Sequence, residues 1–266
     1  MRDIDFEKIR GLVYNLCGIN LHDGKKALVK SRLNKRLREG GFGSFSKYFK
    51  YVTTEEGADE LITMIDALST NLTSFFREEA HFRKLLEVAP GMMKTHSRRG
   101  FSVWCAGCST GEEPYSIAIT LKEVLNGQSA DCKILATDIS TKVLRTAVAG
   151  VYSNDRVRKI PQSLLRAYFQ IGRGASEGQY RVKRDLKDMV EFMRFNLMDT
   201  ISFDKVFDVI FCRNVMIYFD KETQRKLINR FYNCLGEGGW LFIGHSESLT
   251  GLNHSFKYIE PSIYRK

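Results

Sequence analysis

Through residue 88 the apolar positions recur at spacings of three and four: Phe6, Ile9, Val13 and Leu16, then Val29, Leu33 and Leu37, then Phe45, Tyr48, Phe49 and Val52. Such a period draws one apolar stripe along each of several short helices. No proline interrupts the stretch, and Gly40-Gly41 is a stop signal between two of them. Residues 1–88 are therefore expected to be a helical N-terminal domain with its linker. From Phe101 the texture changes. Strand-like runs Phe101–Cys105, Lys133–Thr137, Val190–Phe195, Phe207–Cys212 and Trp240–Ile243 alternate with helical spacing over Glu113–Leu125, Ser140–Val148 and Lys221–Leu235. This alternation predicts a doubly wound α/β domain over residues 89–266, with Phe256–Tyr258 and Ser262–Tyr264 as short closing strands. Tyr168–Ile171, the glycine-rich Gly172–Gly178 and Tyr180–Lys183 predict an antiparallel hairpin, set in an insertion at about 166–188.

The most informative loop is Val103-Trp104-Cys105-Ala106-Gly107-Cys108-Ser109-Thr110-Gly111-Glu112-Glu113-Pro114-Tyr115. It reads as strand, glycine turn and helix start. Ser109 and Thr110 each stand three residues before a glutamate, the capping-box spacing, and Pro114 is tolerated in a first helical turn. Only Gly107 and Gly111 occur, so the G-x-G-x-x-G dinucleotide spacing is absent. Two glutamates at the helix mouth would also repel a pyrophosphate. S-adenosylmethionine carries cationic sulfonium and ammonium groups and no phosphate, so an acidic loop suits it. Asp138 ends the second predicted strand, where it can accept hydrogen bonds from ribose hydroxyls. Glu112, Glu113 and Asp138 read equally well as helix and strand caps.

Two further segments carry polar groups to the same sheet edge. Thr70-Asn71-Leu72-Thr73-Ser74-Phe75-Phe76-Arg77-Glu78 could cap a helix starting near Ser74, or present Arg77 as a fork for a carboxylate. Phe211-Cys212-Arg213-Asn214-Val215-Met216-Ile217-Tyr218-Phe219 leaves an apolar strand and puts Arg213, Asn214 and Tyr218 at its carboxyl end, where open α/β sheets bind ligands. Asn196-Leu197, just after the third strand, falls near an adenine by the same logic.

Together, Thr70–Glu78, Ser109–Tyr115, Ala136–Ser140, Phe195–Leu197 and Phe211–Phe219 resemble the chemotaxis receptor glutamate methyltransferase family (CheR). The resemblance implies an α/β, Rossmann-like S-adenosylmethionine-dependent methyltransferase domain with an inserted small antiparallel β-subdomain, preceded by an all-α N-terminal domain. It implies methyl transfer to receptor glutamates, with S-adenosylhomocysteine as product and no metal. It also implies that Asn71, Thr73, Arg77, Glu113, Asp138, Asn196, Leu197, Arg213 and Asn214 contact the cofactor, and that Arg77 and Tyr218 lie near the reacting groups.

Charge adds a partner. Forty-one basic residues against 31 acidic give a formal charge of +10, which favours an acidic surface. Lys25, Lys26, Lys30, Arg32, Lys35, Arg36 and Arg38 crowd one predicted helix. A charge run is ordinarily a solvated face, but the resemblance implies that residues 25–38 meet the acidic helical bundle of a receptor. It implies further that the 168–183 hairpin grips a receptor C-terminal peptide by strand addition in some family members. Neither nucleic acid nor membrane insertion is expected: N-P-P-Y-like and Pro-Cys signatures are missing, and no apolar run reaches the ~18 residues of a membrane span. The charged N-terminus lacks a signal-peptide pattern, so a cytoplasmic protein with reduced cysteines is expected. Trp104-Cys105-Ala106-Gly107-Cys108 also matches a thioredoxin-like W-C-x-x-C, although that leaves Asp138 without a role. A zinc site would need two more ligands than this pair supplies, and no second C-x-x-C or closely spaced His pair occurs.

Overall fold

The structure is a computed structural model that describes residues 1–69, 71–95, 100–126, 131–201, 203 and 206–266; Thr70, the first residue of one motif, lies outside them. The N-terminal stripes form α1 (Asp3–Cys17), α2 (Lys26–Glu39), α3 (Phe45–Val52) and α4 (Ala58–Leu68). Ile9, Val13, Val29, Leu33, Tyr48 and Met64 bury against one another, as helices with a single apolar face require. One stripe position differs from expectation. Leu16 is exposed and Cys17 is buried, because a third step of four residues from Val13 keeps the row on the inner face.

The basic helix is not the uncompensated run that its sequence indicates. Helix α2 ends in Glu39, and Arg36 turns in to pair with Glu39 and with Glu60 of α4. Lys26 pairs with Asp3, while Arg32 donates to the carbonyls of Leu68 and Ser69 at 2.7 and 2.9 Å. Lys35 reaches Glu39 at 3.8 Å yet stays largely exposed, and with Lys25, Lys30 and Arg38 it shapes the outer potential.

Beyond α5 (Ala80–Thr95), the predicted alternation appears as β1 (Phe101–Ala106), α6 (Glu112–Leu125), β2 (Cys132–Asp138) and α7 (Thr141–Ala149). After an insertion it resumes with β6 (Val190–Arg194), β7 (Phe207–Cys212), α11 (Lys221–Cys234), β8 (Leu235–Ile243), β9 (Lys257–Glu260) and β10 (Ile263–Arg265). The seven-stranded sheet has the order β6-β2-β1-β7-β8-β10-β9. It is parallel from β6 to β8 and antiparallel where β10 joins β8 and β9. Helices cover both faces, which is why β7 is buried along its whole length. Trp104 of β1 is fully buried and satisfies its indole N–H on Thr137 Oγ1 at 2.9 Å. Phe82, Leu85 and Ala89 of α5 share a buried cluster with Val103 and Phe211. The strand order reverses between β1 and β7, so a crevice opens at their carboxyl ends.

The insertion holds β3 (Val151–Ser153), α8 (Asn154–Val157), α9 (Gln162–Tyr168), β4 (Phe169–Ile171), β5 (Gln179–Val182) and α10 (Arg184–Lys187). The expected hairpin is β4–β5, and β3 extends it to an antiparallel sheet of order β3-β5-β4. The pairing partner of β3 lies far along the chain, in β5, and no hairpin turn joins the two, so β3 is visible only in the fold. This small sheet is fastened to the start of α6. Tyr152 donates its hydroxyl to Thr110 O at 2.8 Å, and Arg156 donates to Thr110 Oγ1 at 2.6 Å. Arg156 also pairs with the fully buried Glu112. Because the arginine is partly exposed and the carboxylate is not, Arg156→Ala is expected to destabilise by about 2 kcal/mol, between exposed and buried pairs. Urea unfolding checks this, and adding Glu112→Gln should recover much of the loss; strictly additive effects would show that the pair is not coupled.

Candidate active site

The turn after β1 is shaped by two left-handed glycines. At Gly107 (φ 88) a Cβ would lie 2.4 Å from Val215, so only glycine lets the loop after β7 close over it. Gly111 (φ 97) caps α6 against Tyr152 and Ala147. The capping box suggested by Ser109, Thr110 and the two glutamates does not form. Ser109 donates its hydroxyl to Asn71 O at 3.1 Å, and Thr110 donates to Glu112 Oε2 at 2.7 Å. Nor does a helix begin near Ser74. That segment runs as turns, with Phe76 and Glu78 at φ 51 and 58. Ser109 and Asn214 are also left-handed, at φ 49 and 59. Four non-glycine residues in this sparsely populated region, each costing about 1–3 kcal/mol, therefore fall on the three segments that meet at the crevice.

Asp138 closes β2 and accepts from Ser109 N (2.8 Å) through one oxygen and Ser140 N (2.9 Å) through the other. Burial pushes its carboxyl above the ordinary range, against the lowering pull of those N–H groups. Arg213, at the end of β7, has a side chain only 1% exposed. It donates to Glu113 Oε2 at 2.6 Å and to Glu78 Oε2 at 2.9 and 3.3 Å, and a further N–H meets the carbonyl of Arg77. Burial raises the Glu78 carboxyl, but the Arg213 charge and its hydrogen bonds more than offset this and leave it below the usual range. Glu113 is thus not an open charge as expected from sequence. Its second oxygen accepts from the Cys105 thiol at 3.1 Å. The carboxylate in excess of the Glu113–Arg213 pair inside the cleft is Asp138, while Glu78, which had drawn no attention, holds Arg213 from outside the cleft lining. Glu112 faces the small sheet instead of the crevice.

All ten residues singled out in the sequence line one cleft, which encloses about 890 Å³ including the solvent at its mouth. Asn71, Thr73 and Arg77 come from the segment before α5, and Glu113 and Asp138 from the first two βα units. Asn196 and Leu197 follow β6; Arg213, Asn214 and Tyr218 follow β7. Arg77 sits at the rim and donates to Leu72 O at 2.9 Å. Asn196, expected near an adenine, lines the cleft and donates its amide to Leu16 O at 2.6 Å, bracing the end of α1.

Sequence reasoning missed the contribution of the helical domain. Cys17, Ile19 and Ser69 also line the cleft, and Asn20 N bonds Tyr218 O at 2.7 Å. It also missed Glu247, which accepts from Gly244 N (2.6 Å), Asn214 N (2.9 Å) and Ile217 N (3.2 Å) and so holds the whole loop after β7. A lone glutamate in Gly244-His245-Ser246-Glu247 gives no spacing signal for that task. The W-C-x-x-C alternative fails on the same evidence. Every cysteine is a free thiol, Cys105 and Cys108 are fully buried, and burial pushes both thiols well above the ordinary range, the opposite of a redox nucleophile.

Two carboxylates set on one buried guanidinium, with a third carboxylate ending β2, fit a cationic adenosyl compound without phosphate. The all-alpha domain of the CheR methyltransferases matches residues 4–69, and their SAM binding domain matches residues 71–265. The chain belongs to the CheR methyltransferase family. It is 43% identical to chemotaxis protein methyltransferase 2 of Pseudomonas aeruginosa, covering 98% of this chain and 92% of that protein. Identity is 42% to the chemotaxis protein methyltransferase of Borreliella burgdorferi (98% and 94% covered) and 39% to that of Escherichia coli K12 (99% and 91%). Family members share the S-adenosylmethionine-binding domain, and the cleft residues lie within its bounds apart from those the helical domain supplies.

Glu247→Ala removes three backbone acceptances while leaving every cleft-lining side chain in place. Hydrogen bonds to a charged group are worth about 1.5–3 kcal/mol, so S-adenosylhomocysteine affinity is expected to fall roughly tenfold or more by isothermal titration; an unchanged affinity would show the loop to be self-supporting. Native protein mixed with a chromogenic disulfide is expected to react slowly at the half-buried Cys234 alone, with the other five thiols appearing only on unfolding.

Proposed function

We propose that this enzyme transfers the methyl group of S-adenosylmethionine to glutamate side chains on the acidic, helical cytoplasmic part of chemotaxis receptors, giving glutamate methyl esters and S-adenosylhomocysteine. The observation that carries the reading is the cleft at the strand-order reversal: carboxylates exceed the buried guanidinium inside it, and an arginine stands at its rim. The relatives, chemotaxis protein methyltransferases, support methyl transfer within chemotaxis. No helix among the described residues is long and apolar enough to cross a membrane, and we place the enzyme in the cytoplasm with its receptors' signalling domains.

In this reading Asp138 holds the ribose, and Asn196-Leu197 border the adenine. The Glu113–Arg213 pair, with Asn71, Thr73 and Asn214, receives the methionine part. Bound S-adenosylmethionine supplies a methyl group made electrophilic by its sulfonium. The acceptor glutamate has an ordinary pKa near ~4.3 and is already an anion at neutral pH, so the site needs no general base. Arg77 and Tyr218 align the acceptor carboxylate at the rim. Opposite charges neutralise as the bond to oxygen forms and the bond to sulfur breaks, so rate derives from alignment and exclusion of water. Docking uses the outward charges of the 25–38 segment, Lys25, Lys30, Lys35 and Arg38. Lys25 lies closest to the chemistry, with its ammonium 5.3 Å from the centre of the Tyr218 ring. The β4–β5 hairpin offers the edge for a receptor C-terminal peptide.

Arg77→Ala is expected to lower turnover roughly 100-fold, as misplacing a reacting group does, while S-adenosylhomocysteine still binds; near wild-type turnover would remove Arg77 from the reaction. Incubation with labelled S-adenosylmethionine and receptor-bearing membranes, followed by mild alkali, is expected to release labelled methanol. Label that resists alkali would mean N-methylation and a different acceptor. The methylation rate should also fall steeply as ionic strength rises from ~0.1 to ~1 M, over which the screening length contracts from ~10 to ~3 Å; a flat response would dismiss docking through the basic segment.

A further inference from the structure

Outside the cleft wall, three potential ligands converge from distant parts of the chain. Glu78 precedes α5, His81 lies in its first turn, and His245 follows β8. One ligand atom from each lies within 4.8 Å of the others. The imidazoles of His81 and His245 meet edge to face, with centroids 5.0 Å apart at 82°. His81 is fully buried, yet among the described residues neither of its ring nitrogens has a hydrogen-bond partner. The nearest carboxylate oxygen, Glu78 Oε2, stands 3.6 Å from Nδ1, too far for a hydrogen bond. Buried polar atoms are satisfied with few exceptions, and an imidazole with both nitrogens unmatched calls for a missing partner.

We propose that Glu78, His81 and His245 bind a divalent transition-metal ion of the zinc class. Two imidazoles and a carboxylate are a ligand set suited to such ions, with water completing the shell. His245 is exposed and supplies the path of entry. Arg213, bonded to Glu78 Oε2, is the outer partner that orients the ligating carboxylate. It does not exclude the ion, because Glu78 and Glu113 together outweigh its single charge. The ion takes no part in methyl transfer: it ties the Gly244–Glu247 turn to the start of α5 and so braces the cleft from behind. Sequence spacing concealed the site, since each histidine is solitary in its own segment.

The test uses the untagged, full-length protein stripped with chelator and titrated with cobalt(II), with zinc(II) as competitor. Expected are visible d–d absorption saturating at a single equivalent, displacement of cobalt by zinc, and a higher melting temperature on loading. The decisive variant is His245→Ala, because His245 is exposed and its loss spares the core. Removing an outer-shell partner weakens metal binding ~10–100-fold, so loss of a ligand itself should weaken it at least that much and abolish the thermal shift. Absence of saturable uptake of either ion, or uptake undiminished in His245→Ala, overturns the proposal.

Discussion

The site depends on one buried cation. Arg213 leaves the carboxyl end of β7 with its side chain removed from water, and it must be answered by acceptors in fixed places. Glu113 from the first turn of α6, Glu78 from the segment before α5 and the carbonyl of Arg77 answer it. These contacts fasten three stretches far apart in the chain, and each stretch gives residues to the cleft. The local backbone records the tension. Phe76, Glu78, Ser109 and Asn214 hold left-handed conformations that the surrounding bonds must over-determine if they are to persist. Asp138 does this for Ser109 and Glu247 for Asn214, both by accepting the backbone N–H, while the N–H of Phe76 goes to Ser116 Oγ.

Much of this was legible in the residues. The strands of the large sheet announce themselves as apolar runs, because a parallel sheet covered on both faces leaves few polar positions. The β7 expectation, Phe207–Cys212, matches its observed span. Seven of the ten expected cleft residues come together because groups at or just after the ends of such strands must lie at the carboxyl edge, and Asn71, Thr73 and Arg77 join them from the segment before α5. What failed did so for local reasons. Ser109 and Thr110 carry capping-box spacing, but Gly111 takes the cap and their hydroxyls bond elsewhere. Of the two readings of the segment around Ser74, the helix does not form: turns take its place, and the Arg77 carbonyl serves Arg213. Strand β3 has no adjacent partner run in the sequence, and it exists through pairing with the distant β5.

The basic segment illustrates the same limit. Counting charges suggested a row of unopposed cations, whereas folding turns Arg36 toward Glu60 and Arg32 toward two carbonyls. Which basic residues reach outward is decided by the packing of α2 against α4, and no inspection of α2 alone can sort them.

The cleft shares its wall between the two halves of the molecule. Cys17 and Ile19 line it from the helical side, and Asn196 reaches across to the last turn of α1. The helical part is therefore not a detachable targeting module. A fragment beginning after it would keep the sheet but lose one side of the cleft and bare apolar floor to solvent. Exchanging whole N-terminal domains between such proteins would disturb the cleft wall, whereas changes confined to the outward face of α2 would leave it intact.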